Sequence, residues 1–174
     1  MTVGIAILRA VVGGLFIGHG LQKLKGWFGG YGIEGTGGWM ESVGLYPGKH
    51  HATAGGLAEA AGGAMLVAGL GTPAATAALT SSMTVATLKV HGPNGVWGQN
   101  NGYELPLVMT VALFAVTASG PGSFALDRRE WGTGWAIASL AGGIAGGLAA
   151  IKYSDSNTPA EQPAAPEASA EAAA

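Results

Sequence analysis

Cysteine is absent from this chain and charge is scarce. Without a thiol, the chain itself holds no disulfide, thiol redox couple, iron–sulfur ligation or covalent haem attachment. Electron transfer would need a diffusible cofactor or a partner subunit. Charged residues make up 10% of the 174 positions, where an ordinary soluble domain carries about a quarter. Four of the acids (Asp155, Glu161, Glu167 and Glu171) sit in the C-terminal tail, and the net charge is −2. What remains is nearly balanced, so no basic surface argues for nucleic acid. Nor is there a nucleophile elbow, a phosphate loop or a dinucleotide fingerprint.

Glycine and alanine are what the chain has in plenty. Its 32 glycines follow no collagen period, and small residues of this kind let membrane helices approach closely. Mean hydropathy is +0.35 even with a polar tail included. Most charges fall at the ends of long Ala/Gly/Val/Leu runs, and runs of about 18 apolar residues cross a hydrocarbon layer of about 30 Å. Arg9 and Glu59 are stranded inside such runs, where an ionisable group is costly unless partnered.

The pattern predicts an all-α, polytopic transmembrane protein. A four-helix bundle covers residues 1–130, an additional apolar helix 131–152 and a disordered Ala/Pro/Glu-rich tail 153–174. The spans are expected near 3–24, 52–70, 73–90, 103–119 and 134–151, with a short amphipathic turn at 39–43. The first run lacks a small-residue cleavage site and reads as an uncleaved membrane helix. Pro73 and Pro106 stand in first helical turns, where the missing N–H costs nothing. Gly142, Gly143, Gly146 and Gly147 present a small-residue face for docking the fifth helix. Raw lysine counting places side B, opposite the N-terminus, inside the cell. The Arg128–Arg129 pair is the cleaner topogenic signal and places the N-terminus in the cytoplasm.

On a helical wheel Arg9, Gly13, Phe16, Gly20 and Lys23 share about 80° of arc, with His19 at its edge. Glu59 shares a face with Ala52, Gly55, Gly62, Gly63 and Leu66, so its carboxylate is expected inside the bundle. An Arg9–Glu59 pair across an axial gap of about 10 Å is expected, either bounding a pocket or proton path or simply fixing two helices. His19, Lys23, His91, Tyr103 and Glu104 fall near side B as candidate ligand-binding groups. Such a cluster suits a quinone head group, a small anion or a proton relay. No ligand spacing supports a metal site from His19, His50, His51 or His91, and the last pair of a solvated interface, His50 and His51, reads as surface. Trp27, Trp39 and Trp97 read as headgroup anchors. The stripe Thr76, Thr80, Thr84, Thr87 and His91 reads as backbone-bonding or helix-bridging threonines, with a polar pathway as the alternative.

An ordered set of motifs resembles the DoxX family. Arg9 precedes Gly18-His19-Gly20-Leu21-Gln22-Lys23-Leu24 and Gly26-Trp27-Phe28-Gly29-Gly30. Tyr46-Pro47-Gly48-Lys49-His50, Gly55-Gly56-Leu57-Ala58-Glu59 and Gly69-Leu70-Gly71-Thr72-Pro73 follow, then His91 with Asn94-Gly95, Gly102-Tyr103-Glu104 and Gly120-Pro121-Gly122 with Leu126-Asp127-Arg128. The resemblance implies a four-helix protein of the bacterial cytoplasmic membrane. It also implies association with thiosulfate:quinone oxidoreductase, quinol oxidase or detoxification assemblies. Arg9, His19, Lys23, Glu59, His91, Tyr103 and Glu104 lie at signature positions, with no catalytic role carried over. Glu59, His19 and Arg9 are therefore the candidate catalytic groups and a quinone the expected cofactor. The expected partners are lipid, redox proteins and further copies of the chain. The alternative is a non-enzymatic scaffold or a small-solute permeation protein. The fifth segment and the tail are departures from the family pattern.

Overall fold

The structure is a computed structural model and describes residues 2–122, 124–127 and 129–159. Among these every regular element is helical. Helix α1 spans Thr2–Lys25, α2 Gly32–Ser42 and α3 Gly48–Ala68. Helix α4 spans Thr72–Val85 and runs directly into a π-helical segment, Ala86–His91. Helix α5 spans Glu104–Ser119 and α6 Gly132–Ser156.

Two of these, Val3–Lys25 and Gly132–Ser156, are long and apolar enough to cross a membrane, with hydropathies of 1.7 and 1.6. The other long helices carry more polar residues: Lys49, His50, His51 and Glu59 in α3, and four threonines with two serines in α4.

Glycines set the register between neighbours. Helices α1 and α3 run antiparallel, Gly13 lying against Gly63 and Val67, and Gly20 against Gly56 and Ala60. A Cβ on Gly13 would stand 2.7 Å from the Gly63 carbonyl, so no larger residue fits without parting the helices. Helices α4 and α6 run parallel: Gly143 packs on Thr80, and Gly147, one turn on, packs on Thr84. Gly146 faces Ser81 and Gly142 meets nothing within 4 Å, so three of the four glycines of the expected face are used. Val12 and Phe16 of α1, Leu66 of α3, Leu79 of α4 and Met109, Leu113 and Val116 of α5 form the main core.

Two boundaries differ from the sequence expectation. The turn expected at 39–43 is an eleven-residue helix, with Thr36, Gly37 and Met40 buried. Helix α6 continues through Ser156, and Ser154 is fully buried. The expected disorder from 153 is therefore overturned as far as Asn157, while residues 160–174 of that expectation lie outside the described residues. The Arg128 half of the topogenic pair also lies outside them.

Candidate functional site

On α1, Lys23 lies one turn beyond Gly20, where α1 touches α3. Its Nζ donates to Glu59 Oε2 at 2.6 Å. Glu59 is 4% exposed, so its carboxyl group is buried with Lys23 as a close partner. The Lys23 side chain keeps 21% of its surface open.

The expected Arg9–Glu59 pair does not form. In the α1–α3 register Arg9 stands opposite the end of α3, seven to eight residues from Glu59, which is about 11 Å along the axis. A nearer set of acceptors waits there, because the last carbonyls of a helix have no partner within it. Arg9 Nε donates to Leu66 O and Nη2 to Val67 O, both at 3.0 Å. Nη1 donates to Pro121 O, and Nη2 also reaches Phe124 O at 3.5 Å. A cation at a helix C-terminus is further favoured by the helix dipole. Gly69 ends α3 at φ 64°, and a Cβ there would lie 2.8 Å from the guanidinium carbon. Arg9 is thus a staple at side A, 2% exposed, and not part of the site around Glu59.

Around the Lys23–Glu59 pair lies a cavity of about 420 Å³, open toward side B. His19, His51, His91 and Trp39 join the ion pair in lining it. Its walls are otherwise mostly apolar: Phe16, Met40, Leu45, Met83, Val90, Leu105 and Met109. Each histidine is held by a local acceptor. His19 Nδ1 donates to Gln22 Oε1 at 3.0 Å, His91 Nδ1 to Asn101 O at 2.7 Å, and His51 Nε2 to Tyr46 O at 3.2 Å. In His91 and His51 the backbone acceptor fixes the protonated nitrogen and leaves the other as an acceptor.

Of the residues expected near side B, Glu59, His19, Lys23 and His91 come together. Tyr103 and Glu104 do not line the cavity. Glu104 Oε2 accepts from Gly98 N at 2.7 Å and ties down the loop before α5, while Tyr103 N bonds Gly95 O in the same loop. His51 was expected at the surface and lines the cavity instead, because α3 starts at Gly48 and carries it inward. Trp39 of α2 also borders the cavity while staying 46% exposed, and Trp27 and Trp97 are 57% and 64% exposed. The one available signal for His51 was its spacing of eight residues from Glu59, which places both near one helix face.

Within the threonine stripe Thr76 and Thr84 are hydrogen-bonded, while the buried Thr80 hydroxyl has no partner among the described residues. Thr76 Oγ1 and Thr117 Oγ1 share a 2.7 Å hydrogen bond between α4 and α5, and Thr84 bonds back to Thr80 O. Among the described residues no three His, Asp or Glu side chains converge as a metal site.

An all-helical molecule with apolar exteriors, a buried ion pair and an amphipathic chamber defines a membrane protein with an internal ligand-sized site. A family model for DoxX matches residues 4–92, just over half of the chain. The chain belongs to the DoxX family. No curated protein and no solved structure matches it.

Proposed function

We propose that this DoxX protein is a multi-pass protein of the bacterial cytoplasmic membrane acting as a quinone-linked subunit or accessory of a membrane oxidoreductase, of thiosulfate:quinone or quinol oxidase type. The observation that carries this reading is the Lys23–Glu59 pair set in a cavity of about 420 Å³ with mostly apolar walls. Small-molecule sites are commonly about 300–1,000 Å³, apolar with a few placed polar groups. Quinone chemistry fits that donor set. The Lys23 ammonium suits a quinone oxygen, the remaining imidazole nitrogens can accept from the hydroxyls of the reduced head group, and the apolar wall suits the isoprenoid chain.

Reduction of a quinone takes two electrons and two protons. With no cysteine to ligate a cluster, the electrons come from a diffusible cofactor or a partner subunit. Glu59 and His19 are the proton carriers at the site, and Lys23 positions the Glu59 carboxyl group beside the cavity. Arg9 is removed from this role by its position at side A.

The test is Glu59→Gln in the full chain, assayed in membranes for substrate-dependent quinone reduction. A positioned acid–base group contributes about 10²–10⁴-fold, so activity is expected to fall at least about a hundredfold while the protein still inserts and purifies normally. Full activity in Glu59→Gln, with the same partners recovered, would instead establish the scaffold reading. That second reading is favoured by α6, a helix beyond the family match and open to partners along Ile137, Ile144 and Leu148.

A further inference from the structure

The last turn of α6 lies outside the family match, which ends at residue 92. It nevertheless makes three separate polar contacts with elements that wall the cavity. Ser154 Oγ, in a fully buried residue, accepts from Tyr46 N at 2.8 Å and donates to Gly44 O at 3.1 Å. Those two bonds fix the corner that carries Leu45, itself 1% exposed and part of the cavity wall. The Tyr153 hydroxyl pairs with His50 Nδ1 at 2.9 Å, and its ring centre lies 5.9 Å from that of His51. Asp155 Oδ1 accepts from Lys89 Nζ at 3.2 Å in the π-helical segment, whose next two residues also line the cavity. One turn back, Ala150 of α6 is in the wall itself.

The glycine packing of α6 on α4 requires none of these bonds. Helix ends fray readily, and a buried serine that both donates and accepts is an unusual investment for a terminal turn. We infer that Tyr153, Ser154 and Asp155 form a clasp that completes the cavity at side B, with Ser154 as its principal positioning residue. The corner at Leu45, the His50–His51 pair and the π-helical segment are drawn together by it. When the turn lifts, this wall of the cavity opens. Ser154→Ala would leave Tyr46 N and Gly44 O without their partner, which favours the lifted state.

The absence of cysteine makes the test direct. Ser82 lines the cavity, so Ser82→Cys is a single near-isosteric reporter, read by the rate of N-ethylmaleimide labelling of the full chain in lipid nanodiscs. Thr76→Cys, in the buried α4–α5 contact, reports general loosening. Adding Ser154→Ala or Tyr153→Ala is expected to speed Ser82→Cys labelling about tenfold, and Tyr153→Phe less, while Thr76→Cys stays inert. Unchanged Ser82→Cys rates, or equal acceleration at Thr76→Cys, would overturn the clasp. A second arm, which alone rests on the quinone reading, measures binding of a decyl-substituted benzoquinone by tryptophan quenching. Affinity is expected to fall with Ser154→Ala. If the unmodified chain binds no quinone while labelling still responds to the clasp variants, the quinone reading fails and the clasp stands.

Discussion

Two buried charges with different neighbours have different consequences when removed. Arg9 serves four carbonyls from α3 and the segment after α5. Arg9→Met strips them of a charged donor and is expected to lower stability by about 3 kcal/mol. On the quinone reading proposed above, affinity for quinone should stay within a factor of about two, since the cavity is at the other end. Denaturant unfolding and quinone binding on one preparation check both halves. Lys23→Met leaves a carboxylate that is 4% exposed without its cation, so the single variant should be less stable than the double variant Lys23→Met/Glu59→Leu. A double variant no better than the single would show that the pair is screened and weak. Arg9 and Glu59 were visible in the sequence as buried and partnered, but not their partners. Register decides that, and register here depends on the contacts of Gly13, Gly20, Gly56 and Gly63, a packing detail that a wheel of one helix does not contain.

The helices themselves were legible because apolar runs bounded by Gly, Pro and charge leave little choice. Helix α2 was not, since Gly32, Gly35, Gly37 and Gly38 give it poor intrinsic propensity. It is held by packing: Gly37 lies against the backbone of Gly48 and Lys49, and Met40 joins Leu45 and Ala52 in a second small core. The π-helical segment also left no mark in composition, yet it carries Val90 and His91 of the cavity wall. For α6 the glycines can be ranked. Gly143→Leu places a side chain into Thr80 and the Ala77 carbonyl and should cost about 1–3 kcal/mol or detach the helix. Gly142→Leu points into open space and should be tolerated. Comparable thermal midpoints for the two variants would mean that α6 does not dock on α4 in the bilayer.

At the scale of the whole molecule, five long helices joined in alternating directions put the N-terminus and the end of α6 at opposite ends. If all five span, Thr158→Cys and a cysteine introduced at Thr2 should be labelled by membrane-impermeant reagent from opposite faces of sealed vesicles. Labelling from the same face would show that one of α3, α4 or α5 does not cross. Carbonate washing at high pH should leave the protein in the membrane fraction, because helices such as α1 expose Val3, Ile7, Val11 and Leu15 along one side.

The parallel seating of α6 on α4 also has a bearing on biosynthesis. Ribosomes deliver α6 after the other described helices, so until then the chamber exists only as an unfinished cleft between earlier spans. A hydrophobic guest captured at that stage would be walled in when α6 inserts. Chains ending at Ser119 should therefore accumulate with a gaping site, whatever their other helices achieve.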